Sequence, residues 1–190
     1  MAIAERSAAE NAQRIADALE AAGLPYAIGG ALALAIAGVP RGTADVDVNV
    51  FVGEERVRTV IDVLLGLGIE VDEAAAITRA QRDGMFVGRW NGMRIDVFLP
   101  SIPFAHEASQ TRIRVTDDTG WSGWFLSAEA IAVFKLLFFR GKDLVDLERL
   151  VAVRGALDRG YVRRWIVDMM GEADERVLRW DALVTRYAPA

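Results

Sequence analysis

Asp45 and Asp47 stand two residues apart in the run Asp45-Val46-Asp47-Val48-Asn49-Val50-Phe51-Val52. Strict alternation predicts a strand whose valines share one face, with Asp45, Asp47, Asn49 and Phe51 on the other. At a rise of about 3.3 Å per residue, the two acids lie roughly 7 Å apart at the backbone. Four valines hold that register, because a slip of one residue would bury the acids. Like charges this close repel unless a cation lies between them, so the pair reads as a site for a hard divalent ion such as Mg²⁺, with Mn²⁺ as the alternative.

The elements before this strand must bring a second group to it. Tyr26-Ala27-Ile28 is a short apolar run, followed by Gly29-Gly30 and a helical stretch from Ala31 to Ala37. A strand, a glycine turn and a helix start gather backbone N–H groups where a phosphate can bind. Arg41 and Thr43 sit in the turn before Asp45, where they suit either turn geometry or a phosphate contact.

Composition narrows the chemistry further. The 190 residues contain no cysteine and one histidine, His106, so thiolate ligands, cysteine nucleophiles and histidine-rich metal sites are excluded. Reactions must run on carboxylates, lysine, arginine, backbone and hard cations. A net charge of −5 argues mildly against a broad nucleic-acid surface, although Arg79, Arg82, Arg89 and Arg94, then Arg112 and Arg114, then Lys135, Arg140 and Lys142 form local basic groups. No run approaches the roughly 18 apolar residues of a membrane span, and the N-terminus reads as an amphipathic helix rather than a leader, so the expected compartment is cytoplasmic.

Apolar periodicity predicts helices over 3–22, from Glu54 through Leu65, over 73–82, and then at 127–140, 143–156, 161–170 and 173–187. Asn91-Gly92 between two apolar runs predicts a hairpin of Met85–Trp90 with Met93–Leu99. A second edge pair is expected at 112–115 and 121–126, and a short strand at 69–71. The fold class is α/β of the α+β kind: a small mixed sheet flanked by helices, then a C-terminal helical bundle. The expected domains are a core over 1–126 and a helical region over 127–190 packed on it.

The segment Gly29-Gly30, helix, Arg41-Gly42-Thr43, Asp45-x-Asp47 resembles the signature of the DNA polymerase β-like nucleotidyltransferase superfamily. It is most similar to the AbiEii/MenT-like toxin nucleotidyltransferases. Lys135 to Asp146, with Arg140, Lys142 and Asp143 between them, resembles a second segment of the same families. The resemblance implies an enzyme that moves NMP from an NTP to an acceptor hydroxyl and releases pyrophosphate. It implies Asp45, Asp47 and Asp96 as metal ligands and catalytic acids, Asp96 being the carboxylate on the neighbouring strand. It implies Gly29, Gly30, Arg41, Thr43, Lys135, Lys142 and Asp143 as nucleotide contacts. The acceptor implied is a tRNA 3′ end, with a cognate antitoxin as partner.

Each residue also has a plainer reading. Asp96 could pair with Arg94, and Lys135 could snorkel from an apolar helix to solvent. Asp143 would make a good N-cap, with Asp146 in the first turn of the helix it caps. His106 reads as a surface helix residue, and Trp121, Trp124, Trp165 and Trp180 as packing. Trp90, at a hairpin turn, could be exposed and stack a base. Ala31 replaces the Ser or Thr that many relatives carry after the paired glycine. Ala31 leaves room for an inactive nucleotide-binding or antitoxin-type module, while the shared Gly-Gly…Asp-x-Asp core equally allows an antibiotic or small-molecule nucleotidyltransferase or a protein acceptor.

Overall fold

A computed structural model describes residues 7–187. In chain order the elements are α1 (Ala8–Ala21), β1 (Tyr26–Ile28), α2 (Gly30–Ile36), β2 (Asp45–Val50), α3 (Val57–Gly66), α4 (Glu73–Asp83), β3 (Met85–Trp90), β4 (Met93–Phe98), α5 (Phe104–Gln110), β5 (Ile113–Thr116), β6 (Ser122–Phe125), α6 (Ala128–Phe138), α7 (Gly141–Val153), α8 (Arg159–Met170) and α9 (Glu175–Arg186). The mixed α/β class expected from the sequence is the one observed. The chain divides into two compact units. One takes the residues up to Leu32 together with Gly42–Leu126; the other takes Ala33–Arg41 together with everything from Ser127.

The first unit is built on a six-stranded mixed sheet in the order β3-β4-β2-β1-β6-β5. The acid-bearing β2 lies inside it, antiparallel to β1 and parallel to β4. Val46, Val48 and Val50 are fully buried against the side covered by α1, and each contributes about 1.5–3 kcal/mol of transfer free energy. Ser7 caps α1 through a reciprocal capping box with Glu10. The first residues of the helix predicted from Ile3 lie outside the described residues. The β3–β4 hairpin turns at Asn91 and Gly92, both with positive φ (50° and 84°), as the Asn-Gly signal requires.

Three expectations change. The segment 69–71 forms only an isolated bridge, Glu70 to Arg89, because the chain leaves the sheet edge immediately to start α4. Residues 104–110 add a helix not among those predicted, α5, which buries Phe104, Ala105 and Ala108 and carries His106 on its surface, as expected of that residue. Trp90 is not exposed for stacking: it is 4% accessible, with the Arg14 guanidinium 4.6 Å from its ring centroid. A six-residue strand pairing to the end of the hairpin turns that indole into the core.

The second unit centres on α6, which contacts α7, α8 and α9. Its sequence, AEAIAVFKLLF, is apolar nearly all round, and Ala130, Ile131, Ala132, Val133 and Leu136 are buried. No described helix is long and apolar enough to cross a membrane.

Candidate active site

The pairing of β2 with β4 assembles the candidate acids. In the parallel register Asp45 faces Arg94 and Asp47 faces Asp96. Cross-strand partners share a sheet face, so three carboxylates and one guanidinium form the corners of a small square on the face opposite Val46 and Val48. Asp45 and Asp47 are partly accessible, whereas Asp96 is only 8% accessible. The cover comes from Arg94, whose Nε donates to Asp96 Oδ1 and Oδ2 at 2.8 and 3.0 Å, while Nη2 lies 2.8 Å from Oδ1. That hydrogen bond, with added attraction from Asp96, Asp45 and Asp47, raises the Arg94 pKa against the opposing cost of burial.

The glycine turn meets this face directly. A Cβ on Gly30 would lie 1.8 Å from Asp47 Oδ2, and Gly30 has φ +54°. A Cβ on Gly29 would lie 2.9 Å from Asn49 Nδ2 and 3.7 Å from Asp47 Cβ. Gly29 N–H donates to the Asp47 carbonyl at 2.9 Å. The paired glycines therefore leave room for the Asp47 carboxylate. Thr43 orients the other acid: its Oγ1 donates to the Asp45 carbonyl at 3.1 Å and to the Asp45 carboxylate.

The donor chemistry of this face fits a hard divalent cation: three carboxylates with no sulfur or imidazole, and a cradle at Gly30 that any side chain would fill. Among the described residues, no three acidic or histidine side chains are gathered into a ready metal cluster. Both Asp96 oxygens are turned to the Arg94 guanidinium.

The residues predicted from the later motif gather within the second unit. Lys135 is 7% accessible, and its Nζ lies 2.6 Å from Asp146 Oδ2 and 3.2 Å from Asp143 Oδ1. Lys135 does not snorkel to solvent. Asp146 Oδ1 also lies 3.4 Å from Arg41 Nε, and Asp143 Oδ2 lies 2.6 Å from Arg140 Nε. This closeness follows from the sharp link between α6 and α7: Phe139 adopts a left-handed conformation (φ 52°), so α7 folds back along α6.

Asp143 is not the N-cap. Arg140 holds that position, and Asp143, three residues on, reaches back to accept from the Arg140 N–H at 3.2 Å. Asp146 accordingly lies one turn deeper than the first turn expected for it. Burial pushes the Asp143 carboxyl up, but the Arg140 hydrogen bond and the charges of Lys135 and Arg140 outweigh it and hold the pKa below the usual carboxylate range. Lys142 is exposed. His106 is exposed on α5, within 3.4 Å of Gln110.

The sequence reading missed the contact from Asp146 to Arg41, whereas the pairing of Asp96 with Arg94, its plainer reading of that acid, is the one observed. The signal for Arg94 was its i, i+2 spacing from Asp96 on one strand face.

No protein-family model matches the chain, and no curated protein matches it. Solved structures do. The chain aligns with ANT(2″)-Ia in complex with adenylyl-2″-tobramycin at 18% identity and a TM-score of 0.54, covering 94% of this chain and 98% of that one. It aligns with the solution structure of the antibiotic-resistance factor ANT(2″)-Ia at 17% identity and a TM-score of 0.55, covering 92% and 90%. At these identities the likeness establishes the fold, which this chain shares with ANT(2″)-Ia over nearly its whole length.

Proposed function

We propose that the protein is a Mg²⁺-dependent nucleotidyltransferase that moves an NMP unit from an NTP to an acceptor hydroxyl. One observation carries this reading. Asp45 and Asp47 share the β2 face with Asp96 of the parallel strand β4, and Gly30 leaves the space that the Asp47 carboxylate occupies.

Asp45, Asp47 and Asp96 would hold the ion, which when bound neutralises triphosphate charge and favours ionisation of the attacking hydroxyl. Asp96 takes the proton from the acceptor oxygen as that oxygen bonds to the α-phosphorus. The α–β bridging bond breaks and pyrophosphate leaves. Thr43 orients Asp45, the Gly29-Gly30 turn seats Asp47, and the motif resemblance assigns both glycines to the nucleotide. Arg41, Lys135, Lys142 and Asp143 are assigned to nucleotide binding on the strength of the motif resemblance. Within their own unit, Lys135 and Asp143 act by holding one another in place, while Lys142 is exposed.

For the acceptor, the motif resemblance favours the 3′ end of tRNA, with the protein as the toxin of a toxin–antitoxin pair and a cognate antitoxin as partner. A second reading, a small-molecule hydroxyl, is favoured by the fold likeness to ANT(2″)-Ia, whose complex contains an adenylylated tobramycin.

Label transfer separates them. The protein is incubated with each α-labelled NTP and Mg²⁺ in the presence of total tRNA or of hydroxyl-rich small molecules, beside an Asp45→Ala/Asp47→Ala variant. Label entering tRNA only with the wild type supports the toxin reading. Label entering the small molecules supports the second. No transfer to either, with no Mg²⁺-dependent stabilisation by any NTP, refutes the enzyme reading and leaves an inactive binding module.

A further inference from the structure

The acid face carries its own cation, and the arrangement of that cation goes beyond what transfer chemistry requires. Arg94 faces Asp45 across the β2–β4 pair and binds Asp96 two residues along its own strand. Three carboxylates at the corners of one small square would repel strongly without a positive charge among them. The guanidinium is attracted by all three acids and hydrogen-bonds Asp96 in a two-toothed contact. Its side chain remains 48% accessible, against 11% for Asp96, so the arginine can swing outward without opening the core.

We propose that Arg94 is a resident counter-cation that occupies Asp96 in the metal-free protein and must be displaced when a divalent ion binds. This rests on the metal-dependent reading above. The guanidinium already takes three of the roughly four acceptor sites of the Asp96 carboxylate, and its positive charge repels a second cation there, so the two compete for Asp96. Metal affinity is thereby reduced by the stability of the Arg94–Asp96 contact, and Asp96 becomes a ligand and a proton acceptor only once Arg94 has left. The device holds the three acids in their folded positions without metal, and it makes ion binding release a guanidinium at the edge of the site.

Mn²⁺ binding to the full-length protein without nucleotide, measured by electron paramagnetic resonance, tests this in the wild type, Arg94→Gln, Arg94→Lys and Arg89→Gln. Arg89 lies on the adjoining strand directly opposite Arg94, so its variant removes the same charge from the same face. The expected order is Arg94→Gln tightest, by about tenfold over wild type, Arg94→Lys between them, and Arg89→Gln within about twofold of wild type. In wild-type protein followed by NMR, saturating Mg²⁺ should abolish the hydrogen-bonded signature of the Arg94 Nε–H. Equal tightening in Arg94→Gln and Arg89→Gln would reduce the effect to general charge and overturn the proposal. So would an Arg94 Nε–H unchanged at saturation, a readout that needs no variant to fold. If wild type and every folded variant fail to bind Mn²⁺, the metal-dependent reading falls and takes the proposal with it. If all bind equally, that reading stands and only the displacement of Arg94 is lost.

Discussion

Two clusters of charge in this protein use the same ingredients to opposite ends. On the sheet face of the first unit, Asp45, Asp47 and Asp96 outnumber Arg94 and the Arg89 opposite it by three to two, and two of the acids are partly open to solvent. Between α6 and α7 of the second unit, Arg41, Lys135 and Arg140 outnumber Asp143 and Asp146 by three to two, and both aspartates are buried. An under-compensated, accessible group of acids is a place for a cation to arrive. A compensated group with a buried centre holds a fold together, because removing Lys135 leaves two buried carboxylates without their inner partner. Charge content alone does not separate a reactive site from a structural one; burial and the local balance of sign do.

Breaking the buried cluster should have the largest effect on stability. Lys135→Met leaves Asp143 and Asp146 without their shared ammonium, and the expected loss is about 3–5 kcal/mol in denaturant unfolding. A variant that unfolded like wild type would mean the cluster is hydrated and closer in kind to the acid face. Next comes Gly30→Ala, which sets a methyl against the Asp47 carboxylate and strains a left-handed residue. Label transfer should fall by about a hundredfold from displacement of the acid, while the folded state loses only about 1–2 kcal/mol. Equal losses of folding and activity would remove the distinction between the two regions.

The contrast extends to pH. The Asp143 carboxyl has a folded pKa below its unfolded value, so the folded state binds protons less readily than the unfolded chain. Its contribution to stability is complete above the unfolded Asp value of about 3.9 and is lost as pH falls below it. Thermal melts from pH 6 to pH 3 should show that loss, and the Asp143→Asn variant should flatten it. The smallest effect is expected at Lys142, which is exposed beside the buried cluster. Lys142→Ala should change stability by less than about 0.5 kcal/mol, while raising the KM for NTP several-fold. An unchanged KM would confine nucleotide binding to other residues.

These clusters were legible in the sequence to different degrees. Period-2 alternation put Asp45 and Asp47 on one face and Val46, Val48 and Val50 on the other, since that pattern is a property of the strand itself. The Asn91-Gly92 turn identified the hairpin, and with it the strand that carries Asp96. Lys135 was harder to read. A lone lysine in an apolar helix has no local signal telling whether its ammonium reaches water, a ligand or a buried acid. Trp90 failed for a related reason: position beside a turn suggests exposure, but the length of the strand pairing decides which way the indole points.

By itself, then, the sequence determined the alternation of β2, the glycine pair before it, the two-residue hairpin turn and a chemistry limited to oxygen ligands and cations. Each follows from backbone sterics or from which side-chain types are present. Only the tertiary structure decided that β2 and β4 run parallel with Asp47 opposite Asp96, that Gly30 leaves space for a carboxylate, that Arg94 takes Asp96, and that Lys135 is enclosed by two aspartates. Those facts depend on contacts between residues far apart in the chain, or on the side-chain choices such contacts impose, and local periodicity carries no information about them.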